Sequence, residues 1–274
     1  MTLKTRNRFI KIFLYISVAL TAAMLALFLV TLSKGTILTP PELRIPSFLN
    51  FLPFTPSSLT AVMTSFLVLA LYACACFYLV LRFFENTQTS EIIFFTGFLL
   101  ACLAEFARFI TICLGLWQSF SNMLIFVGNI VLFGRILAPL SFFCAAILSE
   151  TSQRQDIEKN YIIMITVSLV FAAPIPMNTA RIASTGLVTE GFHSLINVFK
   201  FLLFATAILS FFIQGLKKNN GEYKHLAVSA SILLSGYTMI ICCDNFLFLI
   251  LGTALLFFGT YRYLAFIHKL YMWS

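Results

Sequence analysis

Long apolar runs alternate with short polar ones along almost the whole chain. Apolar stretches cover about 9–32, 60–84, 92–117, 123–148, 160–177, 191–215, 225–243 and 246–268. Coiled into helices, runs of about 20 apolar residues match a hydrocarbon core ~30 Å thick. Only helices and closed barrels satisfy their own backbone in lipid, and a barrel would show short segments alternating in polarity. The pattern therefore predicts an all-α integral membrane protein, a polytopic bundle of about eight transmembrane helices.

The first run follows Lys4, Arg6, Arg8 and Lys11, a basic start that signal peptides and membrane anchors share. It is longer than a usual cleavable core, and Thr21-Ala22-Ala23 is followed by more apolar residues, so an uncleaved anchor over 1–32 is expected. Residues 33–59 change character. Pro40, Pro41, Pro46, Pro53 and Pro56 forbid a continuous helix there, yet Ile45, Phe48, Phe51 and Phe54 are too apolar for a free loop. An external, interfacial segment packed over the helix ends fits these residues. Seven further helices then occupy 60–268, and 269–274 form a cytoplasmic tail. The connections are too short for a soluble domain, so 1–274 reads as a single membrane domain with sequential helices antiparallel. The polar pair after Cys243, Asp244-Asn245, suits a turn between the last two spans.

Composition agrees with this reading: 60% of residues are hydrophobic and 10% charged, against about 25% charged in soluble domains. The formal charge of +8 does not imply a nucleic-acid partner, because basic residues gather at the ends of apolar runs and set orientation. With the amino terminus inside, twelve fall on the cytoplasmic side: Lys4, Arg6, Arg8, Lys11, Arg82, Arg154, Lys159, Lys217, Lys218, Lys224, Arg262 and Lys269. Three fall outside (Lys34, Arg44 and Arg181) and three within spans. Both termini are thus expected in the cytoplasm, in a cell membrane of the bacterial inner-membrane type. The seven cysteines lie in predicted spans without metal-binding spacing. His193, His225 and His268 sit on separate segments, so neither metal nor cofactor is expected.

The charges inside the spans carry the candidate chemistry. A charged group at the centre of a spanning helix costs about 2.5–3.5 kcal/mol on insertion scales and marks a functional position by default. Glu105 and Arg108, one helical turn apart in the third span, are placed to pair. They share a face with Gly97, Ala101 and Gly115, small residues that admit a neighbouring helix. Arg135 lies centrally in the fourth span with Gly128 and Pro139, and Asn129 nearer its outer end. Antiparallel packing brings Arg135 level with Glu105. Lys200 in the sixth span either faces inward as a third base or snorkels to the interface. One acid among several bases invites an anion, a lipid phosphate or a small solute.

No local motif names a reaction. A glycine-rich phosphate loop, an H-E-x-x-H pair and a Ser-His-Asp set are all absent. The span order is similar to the membrane portions of bacterial multi-span sensors, in helix count alone. The residues are most consistent with a non-enzymatic, sensor-like or complex-assembly subunit whose partners are the bilayer and another membrane or cytoplasmic protein. A permease for a small anionic solute is the first alternative, and a membrane-embedded enzyme acting on lipid-linked substrates the second.

Overall fold

The structure, a computed structural model, describes residues 3–34, 58–87, 89–116, 121–148, 156–183, 185–217 and 221–272. The proline-rich stretch expected at the interface falls almost entirely outside the described residues. Where the apolar runs lie, the chain is helical: α1 Leu3–Lys34, α2 Leu59–Phe83, α3 Ser90–Ala104, α4 Phe106–Leu114, α5 Ser121–Leu148, α6 Ile157–Ala172, α7 His193–Lys217, α8 Gly221–Ile241 and α9 Phe246–Met272. Between α6 and α7 a short antiparallel hairpin pairs β1 Met177–Ile182 with β2 Val188–Glu190.

Among the described residues, seven helical stretches are long and apolar enough to cross a membrane, with α3 and α4 counted as one. The stretch expected to span 160–177 is shorter than its apolar pattern suggested. Helix α6 has 16 residues, ~24 Å at 1.5 Å per residue, and the chain then turns into the hairpin instead of continuing to 177.

With α3 and α4 taken as one span, successive helices alternate in direction, so the bundle has two ends. One carries the start of α1, the turn between α2 and α3 and the end of α9; the other carries the β-hairpin and the turn between α8 and α9. Helices α3 and α5 lie at the centre, and Gly134 sets their approach: a Cβ there would stand 2.6 Å from the Ala104 methyl. Phe98 sits between Tyr72, Phe142 and Tyr237 at ring separations of 5.2–6.4 Å, filling the core with edge-on aromatic contacts. Helices α8 and α9 pack closest. A Cβ on Gly236 would lie 2.4 Å from the Leu256 backbone nitrogen, so only glycine allows that crossing.

The last two apolar runs are separate helices. Asn245 Oδ1 accepts the Phe248 N–H at 2.8 Å and caps α9, while the Asp244 carbonyl accepts the Ser58 N–H at 2.8 Å and joins this turn to the start of α2. Helix α9 runs on to Met272 and stays on the bundle: Tyr263 and Ile267 are buried, and the Tyr271 hydroxyl lies 2.8–2.9 Å from both Glu91 oxygens. Helix α1 is peripheral and is held at its start by Arg6. That guanidinium enters the turn after α2 and donates to the carbonyls of Phe84, Glu85 and Thr87, where a cation suits the carboxyl end of a helix.

Candidate functional site

The third apolar run breaks at its acid. Glu105 separates α3 from α4, and the Arg108 N–H bonds the Glu105 carbonyl at 3.1 Å, the tighter i,i+3 pattern. Helix α4 then ends at Gly115, whose φ of +56° closes the helix in the left-handed conformation that glycine adopts without strain. On α5, Pro139 has no N–H to give the carbonyl of Arg135, so the backbone is altered beside the second arginine as well.

These local features bring three of the sequence-predicted residues together. Glu105 Oε2 accepts from Arg108 Nη1 at 2.7 Å, and Glu105 Oε1 accepts from Arg135 Nε at 3.0 Å. One carboxylate is divided between two helices. Glu105 and Arg108 are each 1% exposed. The remaining Arg108 donors reach the Thr185 carbonyl from Nε and Nη2, at 3.2 and 2.7 Å, and the Ile241 carbonyl from Nη1 at 3.0 Å. Its Cζ lies 4.9 Å from the Phe66 ring centroid, within cation–π range. A single side chain thus ties α4 to α2, to the end of α8 and to the hairpin turn.

Lys200 does not join Glu105. Its Nζ lies 3.4 Å from Glu190 Oε1 at the end of β2, and His193 Nδ1 approaches the same oxygen at 3.3 Å. Glu190, itself buried, is therefore a second acid of this cluster. Burial pushes its carboxyl upward, but Lys200, backbone N–H donation, Arg135 and His193 outweigh that and hold it below the ordinary glutamate range. Arg135 stands in the field of both carboxylates. Charges consequently alternate along Arg108, Glu105, Arg135, Glu190 and Lys200, three bases against two acids where the sequence suggested three against one. Asn129 stands apart. Its Oδ1 is buried without a hydrogen-bond partner among the described residues, and neighbouring Gly128 packs under Met177 and Val188 of the hairpin.

The hairpin is what sequence reasoning missed, and it covers the cluster. Gly186, at φ +70°, lets the turn lie against Ile112 and the Arg108 carbonyl, where a Cβ would meet Ile112 at 2.7 Å. The only local signal was Ser-Thr-Gly, a turn composition, followed by the β-branched pair Val188-Thr189.

Fold and cluster together define a multi-pass helical membrane protein with an ion-paired polar centre. Protein-family models, curated proteins and solved structures were each compared with the chain, and none matches.

Proposed function

We propose that this chain is a non-enzymatic, multi-pass cell-membrane protein serving as a sensor-like or complex-assembly subunit. In this reading the charged centre sets helix packing. The chain crosses eight times, with α6 as a short crossing and both termini in the cytoplasm of a bacterial-type inner membrane. The observation that carries the reading is the use of Glu105. Both carboxylate oxygens are occupied by arginines from different helices, and the other Arg108 donors end on backbone carbonyls. Charge spent in this way leaves no free group at Glu105 or Arg108 to move a solute or activate a substrate. A partner protein then reads the bundle from the bilayer or from the cytoplasm.

A permease for small anions is the second reading, and one observation favours it: the Arg135 Nη groups have no hydrogen-bond acceptor among the described residues, although the side chain is only 10% exposed. Proteoliposomes separate the two. The packing reading expects no uptake of phosphate by the wild type, and a lower folded yield for Arg135→Gln. Uptake that Arg135→Gln abolishes at unchanged folded yield supports the permease instead.

A further inference from the structure

Helices α2 and α9 run parallel and touch at two levels. Midway, the Tyr72 and Thr260 hydroxyls lie 2.6 Å apart; near their carboxyl ends, the Phe84 and His268 rings meet edge-on at 5.8 Å. Between and outside these contacts lies a groove of about 690 Å³. Small residues, Ala75, Cys76 and Ala265, line part of it, with Leu79 and Leu264 along its length. Its flanks, Phe83 and Tyr261, are 61% and 72% exposed.

We propose that this groove holds one acyl chain of an anionic glycerophospholipid. The proposal rests on the chain being embedded in a membrane, and on nothing about the Glu105 cluster. Three features choose this occupant. The lining is apolar along its course, and the Thr260 hydroxyl inside it is already engaged with Tyr72 and the Leu256 carbonyl, so the groove asks for no polar partner. From Phe257 to His268 it extends along α9 for ~16 Å at 1.5 Å per residue, about half of a ~30 Å hydrocarbon core. A single leaflet's tail has that reach. The groove also ends at the basic end of the bundle. Arg82 is exposed in the last turn of α2, beside Phe83, and His268 lines the groove itself. Glu85 is the acid closest in sequence to that rim, whereas Lys269 is already paired with Glu222 at 2.5 Å. An exposed cation at a helix end beside the bilayer surface draws anionic headgroups.

The test uses full-length protein in vesicles containing either phosphatidylglycerol or phosphatidylcholine with a diazirine-bearing acyl chain. After photolysis the adducts are mapped by peptide mass spectrometry. Adducts should concentrate on 75–84 and 257–268. They should favour phosphatidylglycerol by about fivefold, the ratio that ~1 kcal/mol per basic residue near the surface gives, and Arg82→Gln should reduce that preference. Ala265→Trp, which fills the groove, should remove these adducts while leaving those on the outward face of α7. Adducts spread evenly over the lipid-facing helices overturn the proposal, and so do equal yields from the two lipids. Crosslinks between two copies of the chain through the same residues overturn it in favour of a protein partner. The wild-type adduct map decides the matter even if Ala265→Trp fails to fold.

Discussion

Replacing Glu105 with glutamine keeps the shape of the side chain and removes its charge. Two arginines then lose their common counter-ion in a site where Glu105 and Arg108 are each 1% exposed. Breaking a buried ion pair by removing one partner costs about 3–5 kcal/mol, a large share of the ~5–15 kcal/mol that holds a typical domain together. Glutamine can still accept one hydrogen bond, so the lower part of that range is expected. The second substitution is more informative. Arg135 reaches Glu105 through Nε alone, whereas Arg108 also holds the Thr185 and Ile241 carbonyls. Adding Arg135→Gln to Glu105→Gln should therefore recover more stability than adding Arg108→Gln, which strands two carbonyl acceptors. Thermal unfolding of detergent-purified protein, read by size-exclusion chromatography of the folded fraction, gives the double-mutant cycle. A coupling of ~1–3 kcal/mol is expected for residues in one network. Additive losses, or equal recovery by the two arginine substitutions, would refute the reasoning.

Three further predictions follow from other parts of the fold. Arg6→Ala should free the start of α1 and the end of α2, costing on the order of 1.5–3 kcal/mol for lost charge-assisted bonds; hydrogen exchange should rise at both, and unchanged exchange counts against the Arg6 cap. For Glu190, a carboxyl held below its ordinary range contributes stability above the unfolded pKa and loses it as pH falls through the folded value. Protection of the hairpin should thus weaken on acidification below the usual glutamate range, and Glu190→Gln should flatten that dependence; a variant with the wild-type profile would contradict it. Cys242 is the one exposed cysteine of the seven and lies at the hairpin end. The proposed orientation, with both termini in the cytoplasm, predicts that a membrane-impermeant maleimide labels it from outside intact cells, and labelling only after lysis reverses the orientation.

How much of this was legible follows from how local each feature is. The apolar runs located the helices because bilayer thickness acts on every span alike. The Glu105–Arg108 pair was readable from i,i+3 spacing, and Arg135 from its matching depth on an adjacent antiparallel helix. The helix break at Glu105 was not readable, since nothing in Leu-Ala-Glu-Phe-Ala disfavours a continuous helix. Partners distant in sequence were hidden too: Glu190 for Lys200, the Ile241 carbonyl for Arg108, and Glu91 for Tyr271. Each depends on how the helices and the hairpin pack. Arg6 was counted as a topology signal, and its insertion into the turn after α2 adds a packing role. Arg262, counted with the cytoplasmic charges, lies ten residues before the end of α9. Its guanidinium sits 5.8 Å from the Phe258 ring and 5.0 Å from the Phe266 ring, so aromatic faces accompany a cation that served in the sequence only as an orientation signal.

Solid-state NMR of the protein in lipid vesicles measures the shared carboxylate directly, through distances between ¹³C-labelled glutamate carboxyls and ¹⁵N-labelled arginine side chains. One carboxylate should be close to two guanidinium groups, and that signal should vanish in Glu105→Gln and fall to a single partner in Arg135→Gln. A Glu105 carboxylate with no arginine nitrogen within hydrogen-bonding distance would contradict the account at its centre.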